Sequence, residues 1–101
     1  MRIDEYVDRT VLTVCGPLRL AEVAEWLDMA RRAVARRLPV ELDLREAEHM
    51  HAGAWQVLCA LARELRAAGS AARVLGMSPS AANACALLGL SQELAAFAEG
   101  A

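Results

Sequence analysis

Blocks of alternating apolar and polar residues open the chain. Residues 2–7 and 10–15, the second reading TVLTVC, are rich in β-branched and aromatic types and flank Asp8-Arg9, which predicts a short β-hairpin. Gly16-Pro17 is expected to end its second strand. From Leu20 the period changes. Leu20, Val23, Ala24, Leu27, Ala30, Val34 and Leu38 recur at three and four, the spacing of an amphipathic helix reaching about Arg37. Its other face carries Glu22, Glu25, Asp28, Arg32 and Arg36, with Asp28 and Arg32 four apart in the favourable order. Trp26 falls at the border of the stripe and Met29 on the charged side, which predicts rim packing for the first and exposure for the second.

Pro39 stops that helix, and Val40, Leu42 and Leu44 alternate with Glu41 and Asp43, the period of a strand with one face on a core. After a loop, a second helix is predicted to start near Gly53, with Ala54, Val57, Leu58, Leu61, Leu65 and Ala68 on one face and Gly69 as its left-handed cap. ARVLG, residues 72–76, is a further short strand. Ser78-Pro79 supplies an N-cap and a first-turn proline for a third helix ending at Gly89, and Ser91 to Ala98 are predicted to form a last turn or two of helix.

This order predicts an α/β fold: a mixed sheet of four to five strands covered by three to four helices, in one domain over residues 1–101. The 101 residues are 56% hydrophobic and 24% charged, with a formal net charge of −2. A chain of that size and balance buries a core without metals or disulfides. Its arginines are interleaved with acids, so it lacks the basic stripe of a nucleic-acid binder; the run ARRAVARRL reads as a solvated face.

MRIDEYVDRT has acids within its first five residues, so it is not read as a secretory signal. The most apolar stretch is broken by Arg73, Pro79 and Asn83, which argues against membrane insertion. Cys15, Cys59 and Cys85 are odd in number, widely spaced and flanked by apolar residues. They are expected to be core or near-core thiols of a cytoplasmic protein.

Three motifs, in order, carry a resemblance across nearly the whole chain. LTVCGPL is similar to a strand ending in Gly-x-Leu. VELDLREAEHMHAGAWQVL is similar to hydrophobic-Asp-Leu, a short loop, then Asp-Ser/Thr-x-Gly-Leu opening a helix. Gly69 with ARVLGMSPSAANACALLGL is similar to a strand, a Pro-containing turn and a closing Leu-Gly-Leu. Together they resemble the STAS domain, the fold of bacterial anti-anti-sigma factors, also found in sulfate-transporter tails and in small subunits of transport and chemotaxis systems.

The resemblance implies a non-enzymatic module that binds a partner protein through the loop and helix around residues 49–59. In switchable members a Ser or Thr there is phosphorylated by an ATP-binding partner, and the added charge breaks the complex. Carried over, Asp43 takes the acidic position of the strand, His51 that of the family's second Asp, Ala52 that of the first Ser or Thr, and Gly53 that of the phosphoacceptor Ser. Ala52 and Gly53 have no hydroxyl, so phosphorylation cannot install its charge at either position. No Ser, Thr, Asp or Asn stands where the helix needs its cap, an omission expected to cost about 0.5–2 kcal/mol, and a charged His51 is disfavoured at that end of the helix dipole. The expectation is a constitutive docking face made by His49, His51, Ala52, Gly53, Trp55, Gln56 and Cys59.

Trp55 lies about 100° from the centre of the core face by helical angle, so its ring is read either as a partly exposed hot spot or as an aromatic folded over the sheet edge. His49-x-His51 with Glu46 or Glu48 has spacing that can hold zinc. Spacing that loose arises readily by chance, so both histidines are read as loop residues, with no metal and no cofactor. No Ser or Cys nucleophile lies beside them in sequence, and no catalytic residue is expected.

Two roles follow from the resemblance. One is an anti-sigma factor antagonist-like protein or signalling scaffold that binds a kinase-like partner, with which Gln56 is compatible. The other is a subunit of an ABC transporter ATPase complex, similar to the STAS protein of Mla-type phospholipid transport, whose helix opens Asp-Thr-Gly-Gly; Gly53 matches and Ala52 and Ala54 do not. A small-ligand or nucleotide sensor is the outsider, without a phosphate-cradling glycine motif to support it. A homodimer contact through the first helix and regulation at Ser78, Ser80 or Ser91 are further possibilities.

Overall fold

A computed structural model describes residues 1–90 of the chain. The elements run β1 (Arg2–Glu5), β2 (Thr10–Leu18), a 3-10 turn (Leu20–Glu22), α1 (Val23–Ala35), β3 (Val40–Met50), α2 (Ala52–Ala67), β4 (Ala72–Met77) and α3 (Pro79–Leu87). The expected helix from Ser91 to Ala98, and Ser91 itself, lie outside the described residues. The strands form one mixed sheet of order β1-β2-β3-β4, with β1 antiparallel to β2 and the other pairs parallel. Neighbouring parallel strands joined by right-handed crossovers place their helices on the same face, and α1 and α2 pack against each other there.

Alternation decides which side of the sheet is dry. Leu12 and Val14 of β2 and Val40, Leu42 and Leu44 of β3 are buried beneath α1 and α2, with Ala54, Val57, Leu58, Leu61 and Leu65 coming down from α2. Polar residues occupy the other face and pair across it. Glu41 lies 2.8 Å from Arg9 and 3.8 Å from Arg73. Asp43 accepts two bonds from the Arg45 guanidinium, at 3.0 and 2.9 Å, and one from the Arg45 backbone N–H. Arg45 can lie across β4 because Gly76 has no side chain: a Cβ there would sit 2.6 Å from Arg45 Cγ.

Several expectations need correction. β2 does not end at Gly16-Pro17 but continues to Leu18. Gly16 takes φ +80° between two register irregularities, and β1 pairs only with Thr10–Thr13, so Pro17 lies beyond the stretch that β1 covers. β3 likewise runs on to Met50, six residues past the predicted end. Its buried positions change spacing from two (Val40, Leu42, Leu44) to three (Ala47, Met50), as bulged pairing with β2 turns the strand. His49 is therefore an exposed strand residue rather than a loop one.

The buried face of α1 is rotated from the predicted stripe. Trp26, fully buried, replaces Ala24 at its centre, flanked by Ala30 and Ala33, while Leu20 is 67% exposed. An indole removes far more apolar surface from water than a methyl group, so it wins the inner position. Met29 packs half-buried against the core instead of standing exposed. The Asp28–Arg32 pair does not form. Arg32 reaches Glu5 of β1 at 3.0 Å, and Arg31 approaches Asp28 only to 4.0 Å.

The predicted helix ends are present. Gly69 has φ +71°, with Gly69 N–H donating to Arg66 O and Ser70 N–H to Leu65 O, a Schellman closure. Ser78 Oγ accepts from Ala81 N–H at 3.0 Å with Pro79 following, and Gly89 has φ +70°. Ser78 is buried and also donates to Ala47 O, so its hydroxyl is committed to the fold; Ser80 is exposed. None of the described helices is long and apolar enough to cross a membrane.

Candidate functional site

The surface around the start of α2 is assembled where β2 and β3 finish together. His51 N–H donates to Leu18 O at 2.8 Å, the last rung of that pairing, and the chain then turns into the helix. The imidazole supplies the cap that no short polar side chain is present to provide. Its Nδ1 accepts the Gly53 N–H at 3.0 Å, which satisfies one of the unpaired donors of the first turn. An uncapped start is thus corrected to a histidine-capped one. Acceptance requires the Nδ1 lone pair, so the ring proton sits on Nε2.

Gly53 is matched to this cap. A Cβ there would lie 3.2 Å from His51 Nδ1, closer than side-chain carbons ordinarily come, and 3.4 Å from Val23 Cγ1, at the edge of ordinary contact. The position that the resemblance aligned with a phosphoacceptor serine is here the floor on which an imidazole rests. Trp26 ties α1 to the same turn, its Nε1 donating to Ala54 O at 3.3 Å.

Beyond the cap, Ala52 and Gln56 are exposed while Trp55 and Cys59 are buried. Trp55 is only 1% exposed, so the reading of a partly exposed ring is corrected: it is a core aromatic. Among the described residues its Nε1 has no hydrogen-bond partner. Ala52, Trp55, Gln56 and Cys59 nevertheless converge on one depression of about 320 Å³, completed by Arg63, Leu88 and Leu90. His49, His51 and Gly53 are not part of its lining.

The last three lining residues were not anticipated. Leu88 is 49% and Leu87 79% exposed, although both read in sequence as the apolar close of a helix.

Cys59 and Cys85 are buried thiols, but Cys15 is exposed, which corrects its assignment to the core; none of the three forms a disulfide. Cys15 Sγ donates to Glu46 Oε2 at 3.4 Å. That hydrogen bond and the carboxylate's charge push the thiol above its ordinary value. Asp43 is held below the ordinary aspartate value, chiefly by the Arg45 side-chain hydrogen bonds. It serves an ion pair on the open sheet face and does not line the depression. Among the described residues no three His, Cys, Asp or Glu side chains converge as a metal site.

No match to the chain was found among curated proteins. The family model described as STAS domain matches residues 1–99, and its α/β architecture agrees with the mixed four-stranded sheet and helices seen here. Domains of this kind are generally non-enzymatic modules that interact with other proteins, anti-sigma factor antagonists among them. A match over all but the last two of 101 residues means that the chain belongs to the STAS domain family.

Proposed function

We propose that this STAS domain binds an ATP-binding regulatory protein, kinase-like in the manner of anti-sigma systems, through the first two turns of α2, and that no phosphate at positions 52 or 53 controls the complex. The observation that carries the reading is the edge formed by the exposed Ala52 and Gln56 beside a depression whose rim includes the exposed Leu88. Small side chains there let a partner approach the helix closely, and an exposed leucine gives it apolar surface to cover. The loss of the switch rests on chemistry: Ala52 and Gly53 have no oxygen to phosphorylate, and Gly53 leaves little room for one.

The test is capture of partners from the native cytoplasm by the tagged chain, with and without ATP, read by mass spectrometry. A kinase-like or sigma-regulatory protein is expected. Ala52→Arg and Gln56→Arg, both at exposed positions, should reduce its capture by at least about tenfold, or 1.4 kcal/mol, with the circular dichroism spectrum unchanged. Trp55→Ala is unsuitable as a probe, since it hollows the core. A transporter ATPase in the captured set would move the domain to the transport role, and full binding by both arginine variants would place the interface elsewhere.

A further inference from the structure

A second surface lies further round α2, toward α1. Because α1 and α2 each connect neighbouring parallel strands, they run in the same direction over the sheet, and their packing leaves a groove of about 360 Å³. Leu27, Val34 and Val57 line its interior, Ala60 stands exposed on its rim, and two charges of opposite sign border it, Arg31 on α1 and Glu64 on α2. Arg31 has only the 4.0 Å approach to Asp28, with both side chains about three-quarters exposed. Among the described residues no ion pair engages Glu64.

We propose that this groove seats a second copy of the chain. A two-fold axis running along the groove sets α1 of each copy against α2 of the other at the same height. Arg31 then faces the second copy's Glu64, and Glu64 faces the second copy's Arg31, the reciprocal pairing of an isologous interface. A partner of uniform charge would set one rim residue against its like; a second copy satisfies both. The short side chain of Ala60 lets the facing helices approach, so the apolar floor is covered as well as the charges. Val57, Leu61 and Glu64 lie roughly 80–140° around α2 from Gln56, and Ala60 about 40°, at 3.6 residues per turn, so the groove approaches the partner face only at Ala60.

Sedimentation equilibrium of the full chain, over a wide concentration range, tests this. The expected limiting mass is twice the 10.9 kDa of one chain. Glu64→Arg should weaken self-association by at least about tenfold, and the Arg31→Glu/Glu64→Arg double variant should restore it. Both positions are exposed, and circular dichroism verifies that the variants fold. A single-chain mass at every concentration overturns the proposal. So does a dimer indifferent to Glu64→Arg, because it uses another face. A monomer in which Glu64→Arg weakens capture of a different protein gives the groove to that protein and overturns it equally.

Discussion

At the scale of single residues, the start of α2 shows a substitution and its compensation side by side. An imidazole is larger than the serine or aspartate oxygen that usually caps a helix, and it fits here because residue 53 has no Cβ. His51→Ala should therefore cost about 0.5–2 kcal/mol, the ordinary worth of a cap. Gly53→Ser should cost about 1–3 kcal/mol, since its Cβ lands on the ring. Urea denaturation of both single variants and the double measures their coupling. With the ring removed the serine has room and a chance to cap in its place, so the double variant should be clearly less destabilised than the sum. Strictly additive costs would mean that the cap and the glycine are unrelated. The missing hydroxyls are legible in the sequence but this pairing is not, because N-cap preferences are those of short side chains and give histidine no such role.

Whole elements were legible where one period held for their full length. Gly69, Ser78-Pro79 and Gly89 marked helix ends correctly, since each is a local chemical solution to unpaired backbone groups. β3 was legible only to Leu44, where strict alternation stops; the remaining six residues are strand because β2 continues beside them, a tertiary cause with no local signature. The spacing of apolar residues alone does not fix the phase of α1, because it counts Ala24 like a leucine, whereas the fully buried Trp26 sets the inner face. The ion pair within β3 supports a prediction at this scale. Asp43 titrates below its ordinary value when folded, with Arg45 as the main cause. Its contribution to stability is therefore complete above the unfolded value, near pH 4, and is lost as pH falls through the lower folded value. The size should be only about 0.2–1 kcal/mol, because Arg45 is 63% exposed and well screened. Asp43→Asn should thus be less stable than the parent at pH 7, and the two denaturation curves should converge on the acid side of pH 4. A gap that persists at low pH would point to packing rather than charge.

At the scale of the molecule, α2 is shared by everything the fold does. Its inner face fills the core with Val57, Leu58, Leu61 and Leu65, it borders the depression at Ala52 and Gln56, and further round, toward α1, it borders the groove at Ala60 and Glu64. A helix held on its inner face by a close-packed core moves as a rigid body, and Gln56 and Glu64 stand two turns, about 12 Å, apart along it with only the methyl group of Ala60 between them. Effects at such separated positions add within roughly 0.3–0.5 kcal/mol. Gln56→Arg should consequently leave the sedimentation behaviour of the chain unchanged, Glu64→Arg should leave partner capture unchanged, and the double variant should lose both by the amounts the single variants lose. Partner titrations on the four proteins, at concentrations above and below the self-association midpoint, would measure this directly. If capture weakens only when the chain is monomeric, the two surfaces are coupled, and the partner must bridge both copies rather than dock on one.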